Sequence, residues 1–172
     1  MLQSVDPLPD KEFVKSYLAA LNAKHPKYGI LLLLGIETGL RISDILSLRV
    51  RNISSNMHVK EGKTQKWRTI VVSDTLQAAI KAYARAMGLH RTDYLVHRTR
   101  RQKNVPLSRV QAYRVLRSTA EDNGLMRIGT HTLRKTFANR LYAMSGDPRV
   151  VQRAMRHRFI DSTLHYLTKR TF

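Results

Sequence analysis

Pro26-Lys27-Tyr28-Gly29-Ile30-Leu31-Leu32-Leu33-Leu34-Gly35-Ile36-Glu37-Thr38-Gly39-Leu40-Arg41-Ile42-Ser43-Asp44-Ile45-Leu46-Ser47-Leu48 is the stretch on which the fold turns. From Tyr28 to Ile36 there is no polar face at the helical period, so the segment reads as a helix buried on all sides. Pro26 suits its first turn, where a missing N–H costs nothing, and Gly39 stops it. Ile45, Leu46 and Leu48 then begin a new helix. Arg41 falls at the junction, so its charged side chain is held by rigid elements on both sides. A chain built round such a helix is mainly α.

Working upstream, Pro7 and Pro9 make residues 1–9 an extended lead-in. Asp10 caps a helix reaching about Lys24, with Phe13, Val14, Tyr17, Leu18 and Leu21 at the helical period. Downstream the period changes to two. Met57 and Val59 alternate with polar neighbours, as do Ile70 and Val72, and Glu61 to Arg68 forms a basic turn between them: a β-hairpin. Asp74 is the expected cap of a helix to about Met87, ended by Gly88. Residues 90–106 read as irregular, with Asp93-Tyr94-Leu95-Val96 as a short strand. Ser108 caps a helix to about Asn123 that carries Arg109, Arg114 and Arg117. A helix from His131 to Met144 has an apolar stripe of Leu133, Phe137, Leu141 and Met144, with His131 and Arg134 presented beside it. Short helices at Val150–Met155 and Ser162–Thr168 close the chain. The expected fold class is mainly α with a small antiparallel β-hairpin sheet, α+β by content, with residues 1–172 as a single domain.

Charge narrows the partners. The 172 residues hold 31 Lys+Arg against 12 Asp+Glu, a formal net charge of +19. Such an excess suits a polyanion, most often nucleic acid. The longest apolar run, Gly29–Ile36, is far short of the ~20 residues that span a bilayer, and no polybasic helix has a clean apolar face, so no membrane partner is expected. The N-terminus has no signal-peptide pattern, which points to a cytoplasmic, nucleoid-associated protein. With no cysteine, thiol nucleophiles, disulfides and thiolate metal sites are excluded. No carboxylate cluster suggests a metal.

Three local patterns carry chemistry. His131 and Arg134 stand at i and i+3, on one helix face. His157 precedes Tyr166 by nine positions, and six residues follow Tyr166. Arg41 sits at its helix junction. Tyr113, Tyr142 and the other tyrosines fit no such pattern and read as packing residues.

Together these patterns resemble the tyrosine recombinase (phage integrase) family. Thr38-Gly39-Leu40-Arg41-Ile42-Ser43-Asp44 is similar to its first arginine box, and His131-Thr132-Leu133-Arg134 to its H-x-x-R box. Met155-Arg156-His157 with Thr163-Leu164-His165-Tyr166 is similar to its closing box. Gly62-Lys63 resembles its hairpin lysine. The boxes come in the family's order over residues 38–166.

The resemblance implies a catalytic domain that cleaves and rejoins double-stranded DNA with no metal, ATP or other cofactor. Tyr166 would attack a phosphate to form a 3′-phosphotyrosyl link. Arg41 and Arg134 would clamp the non-bridging oxygens, which guanidinium groups match bidentately. Lys63 would protonate the leaving oxygen, His131 would handle the tyrosine proton, and His157 would donate a hydrogen bond. Asp44 would support the site by hydrogen bonding. Lys60 and Lys66 flank Lys63, and hairpin geometry decides which lysine points inward. Expected DNA-backbone contacts are Lys60, Lys66, Arg68, Arg98, Arg100, Arg101, Lys103, Lys135, Arg156 and Arg158. The run at 97–103 alternatively reads as a solvated loop.

Three departures bear on the outcome. Arg156 stands where the family usually has glycine, so its backbone either has no need of positive φ or tolerates strain. Lys135 stands where a second histidine is common. Forty residues precede Arg41, enough for the catalytic domain's first helices but not for a separate N-terminal DNA-clamping domain. The short tail leaves Tyr166 mobile or out of reach until DNA or a neighbouring protomer, in a tetrameric synapse, orders it. Two other readings remain open: a type IB topoisomerase, and an inactive DNA-binding regulator of the same fold.

Overall fold

The computed structural model describes residues 5–129 and 131–167. The helices are α1 (Lys11–Lys24), α2 (Pro26–Thr38), α3 (Ile42–Leu46), α4 (Asp74–Ala86), α5 (Arg109–Asp122), α6 (Thr132–Ser145), α7 (Pro148–Met155) and α8 (Ile160–Leu164). Strands β1 (Asn56–Lys60) and β2 (Trp67–Val71) lie between α3 and α4; β3 (His97–Thr99) and β4 (Gln102–Pro106) lie between α4 and α5.

Helix α2 is the central element, as its composition requires. Ile30, Leu31, Leu32, Leu34 and Ile36 are all buried, and α1, α4 and α6 pack around it. Asp10 caps α1 by accepting a hydrogen bond from the Phe13 N–H, and Pro26 begins α2. Two glycines set how closely α6 approaches. A Cβ on Gly35 would lie 2.6 Å from Leu133, and one on Gly39, which has φ +60°, would lie 2.3 Å from Phe137. Both positions exclude a side chain, so the first turns of α6 lie directly against the end of α2.

The first hairpin forms as its alternation predicts. Strands β1 and β2 pair antiparallel with Met57 opposite Ile70 and Val59 opposite Arg68, and Met57, Val59 and Ile70 face the core. A second two-stranded antiparallel sheet, β3–β4, occupies part of the segment expected to be irregular. Its polar sequence has no period-two signal. Tertiary contacts hold it instead: Tyr94 N–H donates to Lys103 O at 3.0 Å and Leu107 N–H to Val96 O at 2.8 Å, while Leu95, Val96 and Leu107 enter the core. Asp93–Val96 is not a strand; only Tyr94 makes a bridge, to Arg49.

Smaller corrections follow the same logic. Ser73, not Asp74, caps α4, its hydroxyl accepting from the Leu76 N–H; Asp74 sits one residue inside, in the dipole-favoured first turn. Met144 leaves the α6 stripe and is 85% exposed, because nothing in the described residues covers that end of the helix. The last helix starts at Ile160 and ends at Leu164, so Tyr166 lies just beyond it; Thr168 lies outside the described residues. No helix among the described residues is long and apolar enough to cross a membrane.

Candidate active site

Two helix ends form the floor of the site. Helices α2 and α7 both terminate here, and the last carbonyls of a helix have no intrahelical partner. Two guanidinium groups satisfy them. Arg134 donates to Gly39 O and, at 2.6 Å, to Met155 O. Arg68 donates to Thr38 O at 3.3 Å and Ala154 O at 2.7 Å. Cations are favoured at helix C-termini, which helps explain why this chain tolerates two of them side by side.

Arg134 therefore does not stand beside the core on a presented face, as its spacing suggested. It is 2% exposed and heads the largest buried side chains. The close approach through Gly35 and Gly39 draws it in. Burial, followed by repulsion from Arg41, lowers its pKa to about 10.

Arg41 precedes α3 and is half-buried. Its Nη1 lies 3.4 Å from Glu61 Oε1 and 3.9 Å from Asp44 Oδ2. Asp44 Oδ1 accepts a hydrogen bond from the Gly62 N–H at 3.0 Å, tying α3 to the hairpin turn. A cleft of about 230 Å³ opens beside Arg41, lined also by Ile42, Ser43, Arg109 and His131.

Tyr166 is packed against both site histidines. Its hydroxyl is 2.8 Å from His131 Nδ1, and its ring meets the His157 ring edge-on at a centroid distance of 5.0 Å. A small apolar cluster of Ala138, Val151 and Met155 takes in the Tyr166 and Leu167 side chains together with Phe137 and Leu141. The Asn139 amide donates to Tyr166 O at 2.8 Å. Helices α6 and α7 thus supply the docking surface for Tyr166 within the same chain.

The two histidines are poised as neutral rings. Burial first, then Arg134 and Arg41, hold His131 below the ordinary imidazole range; Lys135 and Lys63 add to this. The same leading causes bring His157 down to about 4, and its Nδ1 is 3.1 Å from Thr163 Oγ1. A neutral His131 can accept a proton that an imidazolium could not.

Lys63 and Lys66 are exposed in the turn between β1 and β2, and Lys60, the last residue of β1, is exposed as well. The Lys63 charge is felt at His131, and among the described residues Lys63 has no hydrogen bond or ion pair to Arg41, His131, Arg134 or Tyr166. Arg156 adopts φ +53°, a left-handed conformation, so the strained alternative holds; it ends α7 and donates to Trp67 O at 3.0 Å.

Several cations expected on the DNA backbone have their head groups engaged within the protein. Besides Arg68, Lys103 donates to Met87 O and Gly88 O at the end of α4. Lys135 is buried, donates to Val5 O and lies 5.9 Å from the Tyr166 ring centre. Arg98, Arg100, Arg101 and Arg158 are exposed.

Glu61 and Arg68 are site residues that sequence reasoning missed or misplaced. Glu61 had a legible signal: it continues the inward phase of Met57 and Val59, and it is 1% exposed. Among the described residues no three His, Cys, Asp or Glu side chains converge in a way that could hold a metal ion.

The phage integrase family model matches residues 10–171. The chain belongs to this family. A probable integrase/recombinase, YoeC of Bacillus subtilis strain 168, is 38% identical over 169 residues, covering 97% of this chain and 90% of its own length. The crystal structure of XerA recombinase superposes with a TM-score of 0.76 at 22% identity, over 98% of this chain and 61% of that one. A lambda integrase tetramer bound to a Holliday junction gives a TM-score of 0.76 at 16% identity, over 99% of this chain and 50% of that one. The mainly helical fold with small antiparallel sheets is thus that of these recombinases, and the chain spans only part of the two larger proteins.

Proposed function

We propose that this chain is the strand-transferring part of a site-specific DNA recombinase working through a 3′-phosphotyrosyl intermediate. The observation that carries the reading is the Tyr166 hydroxyl 2.8 Å from His131 Nδ1, beside the cleft that Arg41 lines. Tyr166 Oη attacks the phosphorus, its proton passing to neutral His131. The P–O5′ bond breaks as the P–Oη bond forms. The 5′ oxygen takes a proton, for which Lys63 is the proposed donor once DNA draws the turn inward. The phosphotyrosyl ester keeps the energy of the broken bond, so rejoining is the reverse step and needs no nucleotide.

Negative charge grows on the non-bridging oxygens during attack. Arg41 faces the cleft, and Arg134 has five N–H groups, of which two are committed to Gly39 O and Met155 O. Both guanidinium groups are held by backbone or carboxylate contacts before DNA arrives, so little reorganisation is required at the moment of reaction. His157 adds a hydrogen bond to the phosphate. Double-stranded DNA is the proposed partner, gripped mainly through a diffuse positive surface, consistent with the +19 net charge. Protomers meeting on DNA in a synapse fit the family membership and the likeness to lambda integrase.

The test is a nicked suicide substrate that traps the covalent step. Wild-type protein should give a denaturation-resistant protein–DNA adduct, and Tyr166→Phe should give none. An adduct that survives in Tyr166→Phe, or none with wild type on any DNA including the flanking sequence of its own gene, would sink this reading. Sequence-independent relaxation of supercoils by single protomers would replace it with a topoisomerase.

A further inference from the structure

Glu61 is a buried carboxylate that the steps above do not use. It is 1% exposed, in a turn where every residue from Gly62 to Trp67 is exposed. Withdrawing a carboxylate from water is costly unless cations or donors surround it. Here Oε1 lies 3.4 Å from Arg41 Nη1 and 3.8 Å from Arg68 Nη1. Oε2 accepts from Thr64 Oγ1 at 2.9 Å. The backbone closes the same turn: Glu61 N–H donates to Lys66 O at 3.0 Å and Gln65 N–H to Glu61 O at 2.8 Å.

One carboxylate thus joins three parts of the site. The first is Arg41. The second is Arg68, which ties together the ends of α2 and α7. The third is the turn that carries Lys63. Asp44 lies further from the Arg41 head group, at 3.9 Å, and spends Oδ1 on the Gly62 N–H. The contacts of Arg41 Nη1 with Glu61 and Asp44 are ion pairs and not hydrogen bonds, and among the described residues Nη1 has no hydrogen-bond acceptor. The guanidinium is aimed by charge while its N–H groups stay uncommitted.

We propose that Glu61 is a positioning residue for strand transfer, orienting Arg41 toward the scissile phosphate and setting the register of the Lys63 turn against it. This rests on the phosphotyrosyl reading given above. A carboxylate beside a phosphate clamp weakens the local positive field, so it does nothing for DNA affinity. Its contribution appears in the chemical step, where orientation counts.

The experiment measures adduct formation on the nicked suicide substrate at saturating DNA, DNA affinity by gel shift, and melting temperature, for wild type, Glu61→Gln and Glu61→Asp. Glu61→Gln should form adduct about tenfold more slowly with DNA affinity unchanged or slightly tighter. Glu61→Asp, which keeps the charge, should recover part of the rate. Thr64→Val, in the exposed turn, should slow the reaction a few-fold without altering the fold, and it stands in if Glu61→Gln does not fold. Wild-type rates in both Glu61→Gln and Thr64→Val overturn the proposal. So does a loss of rate that tracks weaker DNA binding and lower melting temperature and is not recovered by Glu61→Asp. A wild type that forms no adduct overturns the strand-transfer reading and this inference with it.

Discussion

Replacing Arg134 with alanine should cost stability as well as chemistry, and the size of the loss can be worked from its surroundings. The guanidinium donates to Gly39 O and Met155 O, both at helix ends and both screened from water. Hydrogen bonds from a charged donor contribute about 1.5–3 kcal/mol each, so losing two costs about 3–6 kcal/mol. Removing the aliphatic stem from a site only 2% exposed adds about 2 kcal/mol. In the other direction, burial and Arg41 together hold the pKa of this group at about 10, well below the guanidinium norm. Relief of that penalty returns about 3 kcal/mol at 1.36 kcal/mol per pH unit. The net destabilisation is about 2–5 kcal/mol, a large share of the ~5–15 kcal/mol that holds a domain together. The assay is urea unfolding followed by far-UV circular dichroism, since the single tryptophan, Trp67, is 68% exposed and reports poorly on the core. At a mid-range urea slope of about 2 kcal/mol per molar, the midpoint should fall by about 1–2.5 M. Arg134→Lys, which keeps a charge and a stem, should fall between. A midpoint for Arg134→Ala within about 0.3 M of wild type, short of the ~0.7 M that the smallest loss at the steepest slope would give, would refute the view that this arginine fastens the ends of α2 and α7. An activity defect would then have to be read as purely chemical.

Two other outcomes follow from the site. Because burial and neighbouring arginines hold His131 below its ordinary value of 6.5, it is neutral and able to accept the Tyr166 proton at pH 7. Single-turnover adduct formation should therefore be flat above neutrality and fall only as pH drops through an inflection below 6.5. Since His157 titrates near 4, His131→Gln should remove that inflection from a slower profile, and an unaltered profile would exclude His131 as its source. Arg156 holds φ +53°, which costs a non-glycine residue of order 1 kcal/mol. Arg156→Gly should then be more stable than Arg156→Ala by about 1 kcal/mol, because both lose the bond to Trp67 O and only glycine relieves the backbone; equal melting temperatures would contradict the strain.

What the sequence determined by itself was whatever depends on local period and residue chemistry. The all-apolar run in α2 could be stable only as a central helix. Alternation at Met57, Val59 and Ile70 required a half-buried hairpin, and Asp10, Ser108 and Gly39 marked helix ends through their own backbone and capping preferences. The order of arginine, lysine, histidine and tyrosine boxes pointed to the family. Tertiary structure decided what depends on distant partners. The β3–β4 sheet has no sequence period because Leu95, Val96 and Leu107, outside its strands, anchor it. Arg134 and Arg68 are buried because two helix ends, far apart in the chain, present bare carbonyls to the same place. Glu61 stays buried beside an exposed turn because Arg41 and Arg68, from distant parts of the chain, surround its carboxylate. Tyr166 meets His131 because residues of α6 and α7, set apart from it in sequence, build an apolar seat for its ring.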